Sequence, residues 1–278
     1  MSSQFKKAFT SRYGSDGLII EVDWSQLEII CQQIESQDGV LGAELNDGVD
    51  LHTMMTADIY TSVTYKYLME EIRKHNPVWV ERRRQTKRAR FALQYGAGAR
   101  RISQLTGWDL FEAKNFIDTY NNKYNLIVMW QLMVVREVTQ SAKPCNANGQ
   151  LKGQYTSPTG RRFVFTSKPN REGTQYFSPT QLKNYPIQGL ASDFVAHMTG
   201  KLMRDILYYD MFPVIHLTNT VHDSIVLDVH KEVEEIALDI IETCFGQAQQ
   251  GMRELVQGKR LVEVPFKYSI TSGQSWAK

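Results

Sequence analysis

An α+β fold is predicted for this chain by three features of its order. One β-rich run stands near the N-terminus, a second lies about two hundred residues later, and a long helical stretch without proline lies between them. The first run reads LIIEVDWSQLE from Leu18 and the second TVHDSIVLDV from Thr220. Each puts one aspartate at the end or in the turn of a strand, Asp23 and Asp223. Alone, an aspartate beside a strand is a turn former or a helix N-cap. Paired, the two make a cradle for two magnesium ions, the equipment of phosphoryl or nucleotidyl transfer, in which cations about 3.5–4 Å apart clamp the attacking and leaving oxygens.

A strand is expected at Leu18–Asp23, then a helix near Ser25–Ser36, in which Ser25 as N-cap and Glu28 at its third position have capping-box spacing. Asp50 can cap a helix over His52–Tyr60. The segment VERRRQTKRARFALQYGAG from Val80 is rich in helix formers and predicts a helix ending near Gly96. Helices follow at Ala99–Leu105 and Leu110–Thr139, then a β-rich patch at Gln154–Phe165. A long helix from Pro179 to about Tyr209 is expected to break or restart near Pro186. A hairpin at Leu217–Val229, a helix at Glu232–Gln249 and a strand at Val264–Thr271 complete the chain, which has no internal repeat.

The basic helix between the two aspartates gives them a context. Arg83, Lys87, Phe91 and Tyr95 are each four residues apart and form one stripe with a cationic and an aromatic end. Such a stripe is ordinarily a solvated basic face running into a core-facing aromatic pair. Between two metal-binding aspartates it suits a triphosphate instead: the cations balance its charge and a planar ring stacks on any base.

The net charge of +2 over 278 residues says little about nucleic acid, so the local clusters at Arg82 to Arg90 and at Arg100 and Arg101 carry that expectation. Cys31, Cys145 and Cys244 lack metal-ligand spacing and read as reduced core thiols of a cytosolic protein. No signal peptide and no apolar run of membrane-spanning length appears, so no membrane partner is expected and the protein reads as soluble and intracellular.

In order, an AF pair near Phe9, VDWSQLE at Val22, DLH at Asp50, the RxxxK helix closing on YG, TGRR at Thr159, NYPIQG at Asn184, VHDS at Val221 and a terminal SGQSW resemble the family A DNA polymerases, the bacterial DNA polymerase I type. The resemblance covers almost the whole chain. It implies a palm with an antiparallel sheet and a helical fingers insertion, divided roughly as palm 1–60, fingers 61–150 and palm 151–278. It implies template-directed addition of dNTPs to a primer 3′-OH with two Mg2+ ions at Asp23 and Asp223, the Trp24 carbonyl adding a ligand. By the same resemblance Glu28 gates against a ribose 2′-OH and Gln26 neighbours the nascent pair. His52, Arg83 and Lys87 contact the triphosphate, Lys87 also protonating the leaving pyrophosphate, while Phe91 and Tyr95 line the nucleotide pocket. Arg162, Asn184, Gln188 and His222 touch primer–template DNA. Several of these residues also have plainer readings: Glu28 as a capping glutamate, His52 as a packed helix-start residue, and His222 as a polar turn residue.

Two departures from the family are visible. The thumb and exonuclease domains that normally accompany this region are absent, which implies either a second polypeptide supplying a thumb, and with it any exonuclease, as in a split phage-type enzyme acting in the host cytoplasm, or a truncated form of a longer chain, the split enzyme being the favoured reading. Ser224 follows His222 and Asp223 where the family has glutamate. His-Asp-Ser resembles single-subunit phage RNA polymerases, an alternative opposed by Glu28 and by the aromatic Phe91. A non-catalytic replisome component is the rival from another class.

Overall fold

A computed structural model describes residues 6–146 and 149–276. In chain order, strand β1 spans Gly17–Trp24. The helices α1 (Leu27–Ser36), α2 (Gly39–Asn46), α3 (Leu51–Ile59), α4 (Tyr65–Arg73), α5 (Pro77–Gln94), α6 (Ala99–Thr106), α7 (Leu110–Lys123) and α8 (Asn125–Gln140) follow. Short strands come next: β2 (Lys143–Pro144), β3 (Leu151–Thr156), β4 (Arg162–Thr166), β5 (Lys168–Pro169) and β6 (Gln175–Tyr176). Then come α9 (Pro179–Tyr208), the hairpin of β7 (Ile215–Val221) and β8 (Ser224–His230), helices α10 (Glu234–Gly246) and α11 (Ala248–Val256), and β9 (Tyr268–Gly273). Mixed helix and antiparallel sheet is the predicted α+β class. The chain forms two compact units, Met1–Cys31 with Gln188–Lys278, and Gln32–Ile187, so boundaries at 60 and 150 do not coincide with the edges of compact units.

The first unit is built on a four-stranded sheet in the order β7-β8-β1-β9, every pairing antiparallel. Its two central strands are apolar and buried almost throughout, as strands covered on both faces must be. At the end of β1, Trp24 stacks on Phe245 with centroids 4.3 Å apart and lies 5.2 Å from Phe194, fixing that end of the strand in an aromatic core. Asp228, buried in β8, accepts from Ser11 Oγ at 2.5 Å and from the Arg12 backbone and Nε at 3.1 and 2.9 Å. Burial pushes this carboxyl up, but the Ser11 and Arg12 donors outweigh it and hold it below its ordinary value. Near the chain ends the AF and SGQSW segments meet: Trp276 packs with Ile19 and Val226, stands edge-on to Phe9, and donates its backbone N–H to the Phe9 carbonyl.

The second unit is mainly helical, with α5 packed on α3, α4, α6 and α7. A three-stranded sheet β2-β3-β4 lies against α8. Gly153 makes that approach possible, since a Cβ there would meet the Val138 carbonyl oxygen at 2.1 Å.

Several expectations need correction. The helix expected over Leu110–Thr139 is two helices, broken at Tyr124 because the Asp38 carboxylate, already capping α2 through Leu41 N–H, also takes the N–H of Leu126 at 3.2 Å. Helix α9 runs unbroken past Pro186, whose missing N–H costs one ladder bond without ending the helix. The helix expected to Gln249 stops at Gly246 and restarts as α11, and the last strand begins at Tyr268 rather than Val264. Helices α2 and α4 were unforeseen. Cys31 and Cys244 are buried, burial pushing the Cys244 thiol up to about 12, whereas Cys145 is exposed rather than a core thiol. No described helix is long and apolar enough to cross a membrane.

Candidate active site

The sheet brings the two aspartates to one end of the first unit. In the β1–β8 register Asp23 pairs with Ser224, and the Trp24 N–H donates to the Asp223 carbonyl at 3.1 Å. Asp223 occupies, with His222, the two-residue link between Val221 of β7 and Ser224 of β8. His222 has φ 55°, the left-handed conformation that tight hairpins need. Ser224 closes the turn by donating Oγ–H to the Val221 carbonyl at 3.1 Å, a structural role for the serine that does not depend on the sugar of any substrate. Both aspartates are half-buried and His222 is exposed.

Beyond Trp24 the chain turns sharply into α1. Gln26, at φ 59°, is the cap, its carbonyl accepting from Ile29 and Ile30 N–H. This corrects the capping box: the cap is Gln26, not Ser25, and Glu28 lies in the first turn, where the helix dipole favours its charge. Among the described residues no group of three or more His, Cys, Asp and Glu could hold a metal ion. A magnesium ion that keeps water and substrate phosphate ligands needs only one or two carboxylates, so hard oxygens from Asp23 and Asp223, with the Trp24 carbonyl beside them, fit it.

In the second unit α3 and α5 build a cationic patch. Asp50 caps α3 as expected, accepting from His52 and Thr53 N–H at 3.0 and 2.9 Å. The same carboxylate is ion-paired with Arg83 Nη2, and Arg83 Nε donates to Thr53 Oγ1 at 3.0 Å. Burial pushes the Asp50 carboxyl up, yet the Thr53 amide and Arg83 bring it below its ordinary value. The His52 ring lies 5.6 Å from the Phe91 ring, and Lys87 Nζ lies 5.9 Å from the Phe91 centroid. Lys87 is exposed, Phe91 is 37% and Tyr95 40% exposed, so the stripe predicted on α5 faces outward over its Lys87–Tyr95 part. Gly96 ends it: its φ is 79°, and a Cβ there would meet Thr180 Cα at 3.2 Å.

The basic cluster is not uniform. Arg82 stacks on Tyr60 and Trp79, 4.4 and 4.7 Å from their centroids. Arg90 is buried at 2% exposure; its Nη1 donates to the Leu51 carbonyl at 3.1 Å, its guanidinium lies 5.5 Å from the Tyr124 centroid, and its Nη2 is buried without a partner. Burial, and then the nearby Arg90 charge, push His52 down to about 4, so the imidazole is neutral near pH 7, with Nδ1 buried and unpartnered. The role of Arg90 was not foreseen. The only hint is that it belongs to the helical face of Thr86, Ala89 and Gln94, all buried, rather than to the Arg83–Lys87 stripe.

Each unit therefore gathers part of the expected set. Asp23, Trp24, His222 and Asp223 adjoin at one sheet end, with Gln26 and Glu28 just beyond, while His52, Arg83, Lys87 and Phe91 adjoin on α3 and α5. Arg162 begins β4, exposed and opposite Thr156. Asn184 and Gln188 lie four apart on α9; Gln188 is exposed and Asn184 only 5% so, the least accessible of the expected DNA contacts.

The chain is similar in sequence and fold to known proteins. The thermostable DNA polymerase I of Thermus filiformis is 24% identical over 280 residues, covering 99% of this chain and 29% of its own length. A DNA polymerase of Bacillus phage SP01 is 28% identical over 247 residues, covering 84% of this chain and 24% of its own. Among solved structures, the POL domain of Pol1 from M. smegmatis, in complex with DNA primer-template and dNTP, superposes with a TM-score of 0.70 at 22% identity, over 99% of this chain and 42% of that one. The chain spans about a quarter of the length of the curated relatives it matches. The family model for DNA polymerase family A matches residues 1–278, and the chain belongs to that family.

Proposed function

We propose that this chain is the catalytic part of a template-directed DNA polymerase, adding dNTPs to a primer 3′-OH in DNA replication. The observation that carries the reading is the β1–β8 register, which sets Asp23 beside Asp223 at one sheet end. In this reading Asp23 and Asp223 bind Mg2+, with the Trp24 carbonyl as a further ligand. The chemistry magnesium supplies when bound is acidification of the primer hydroxyl and charge neutralisation on the departing pyrophosphate.

The chain's own groups do the rest. Lys87 and Arg83 hold the triphosphate, Arg83 kept in place by Asp50, and Lys87 gives a proton to the leaving group. His52, neutral near pH 7, adds a hydrogen-bonding contact rather than a charge. Phe91 and Tyr95 supply stacking area for sugar and base, and Gln26 neighbours the new pair. Glu28, in the first turn of α1, leaves no room for a 2′-OH, the kind of rejection a buried polar mismatch makes strong. Arg162, Asn184, Gln188 and His222 contact primer–template DNA. The fingers–palm division at 60 and 150 belongs to this reading as a functional one. A second polypeptide supplying a thumb, and with it any exonuclease, is the further partner in this reading. The place of action is the cytoplasm, where DNA and dNTPs are.

The test is magnesium-dependent extension of a primed template, with dNTPs and NTPs in parallel and with a thumb-bearing polymerase fragment added in a third arm. Extension with dNTPs alone is expected. Use of NTPs would overturn the Glu28 assignment, and silence in all arms would sink the catalytic reading. Phe91→Tyr is expected to raise sensitivity to dideoxynucleotide termination, and an unchanged sensitivity would remove Phe91 from the sugar pocket.

A further inference from the structure

On the first unit, the C-terminal end of α9 and the helix α10 enclose an open groove of about 610 Å³. One wall carries Asp205, Tyr208 and Tyr209, the other runs along α10 from Ile236 past Asp239 and Ile240. Tyr208 is 83% exposed, Tyr209 54% and Ile236 43%, so the rim is aromatic and aliphatic surface left in water. None of these residues belongs to the polymerase site proposed above.

The charge of the groove selects its occupant. Asp205 and Asp239 line it, and among the described residues no lysine or arginine does. Of the acidic residues on α10 only Asp239 lines the groove, while on α9 Lys201, paired with Glu254, and Arg204 stand outside the lining. DNA phosphates are repelled from such a surface and cationic side chains are drawn to it. The lining positions on α10 extend from Ile236 to Thr243, about two helical turns or roughly 10 Å, with Gln247 just past its end. A groove of that length, with the buried Ile240 among its lining and exposed tyrosines at its edge, suits the helix-in-groove mode of recognition.

We propose that this groove docks a short amphipathic helix of a partner protein, its apolar stripe set between the tyrosines and α10 and its flanking lysines or arginines opposite Asp205 and Asp239. The carboxylates choose the charge of the partner, and Tyr208, Tyr209 and Ile236 supply the area that holds it.

Fluorescence anisotropy on the full chain tests this with a labelled leucine–lysine peptide of about 12 residues at helical spacing, and a matched peptide in which every lysine is glutamate. Saturable binding of the lysine peptide is expected, with the glutamate peptide, Tyr208→Ala and Asp239→Lys each weakening it about ten-fold or more. Glu263→Lys, an equal charge change at an exposed position outside the groove, is expected to leave binding unchanged. Tyr208 is nearly all in solvent, so Tyr208→Ala should keep both the melting midpoint and primer extension. Equal binding of the two peptides, or full binding to Asp239→Lys, would overturn the proposal. So would sedimentation showing a dimer that Tyr208→Ala dissociates, because the occupant would then be a second copy of this chain.

Discussion

The two compact units place their chemical groups by different means. In the sheet unit the backbone does it: ladder register and a two-residue turn put Asp23 and Asp223 side by side, and neither position depends on a long side chain finding a partner. In the helical unit side chains do it. Arg83 is tied to Asp50 and Thr53, His52 lies against Phe91, and Arg90 joins α5 to the start of α3 from inside. Backbone placement is rigid and hard to tune, since moving one aspartate means shifting a whole strand. Side-chain placement can be adjusted by single substitutions, and a single substitution can also undo it.

That contrast can be broken most sharply at the sheet. Asp23→Ala or Asp223→Ala is expected to lower primer extension by a factor on the order of 10³, with a melting midpoint close to that of the parent in thermal unfolding. Extension surviving in both variants would end the two-metal assignment. In the helical unit Arg90→Ala is expected to cost about 2–4 kcal/mol in urea unfolding, because it empties a packed volume and removes the bond to the Leu51 carbonyl. It should also raise the His52 midpoint, read by NMR, from about 4 toward the ordinary histidine value.

The sign of the His52 effect follows from its depressed folded pKa. Between about 6.5 and about 4 the unfolded chain takes a proton that the folded chain refuses, so stability falls as pH drops through that window. Asp228 acts in the same direction at lower pH. Its folded carboxyl is held below its ordinary value, so its contribution is complete above about pH 4 and is lost as pH falls through the lower folded value. Asp228→Asn is expected to cost about 1–3 kcal/mol at neutral pH and to flatten the acid limb of a urea-unfolding series from pH 3 to 7. The smallest effect is expected from Gly96→Ala, about 1–2 kcal/mol for a left-handed alanine, read as a modest drop in melting temperature.

What the sequence disclosed and what it hid divide along the same line. The strand ending in Asp23 and the hairpin holding Asp223 were legible because unbroken apolar runs and a tight polar turn are local signals. Asp50 as a cap and the α5 stripe were legible from spacing alone. The break at Tyr124 was not, since it has no proline or glycine and arises from a carboxylate 88 positions away in sequence. Helix α4 was hidden by its entry through Thr-Ser-Val-Thr-Tyr, which is poor in helix formers, although Thr64 caps it. Arg90 looked like one more member of a basic run, and only packing against Tyr120 and Tyr124 turns it inward.

The left-handed residues Gln26 and His222 carry a practical consequence for anyone evolving this protein. At both positions glycine would relieve the backbone by about 1–2 kcal/mol, so a selection that rewards heat resistance or expression yield alone would drift toward glycine there. It would return hardier proteins stripped of the two side chains that flank the aspartates, and under the proposed polymerase role the loss would be invisible until a primed template was offered.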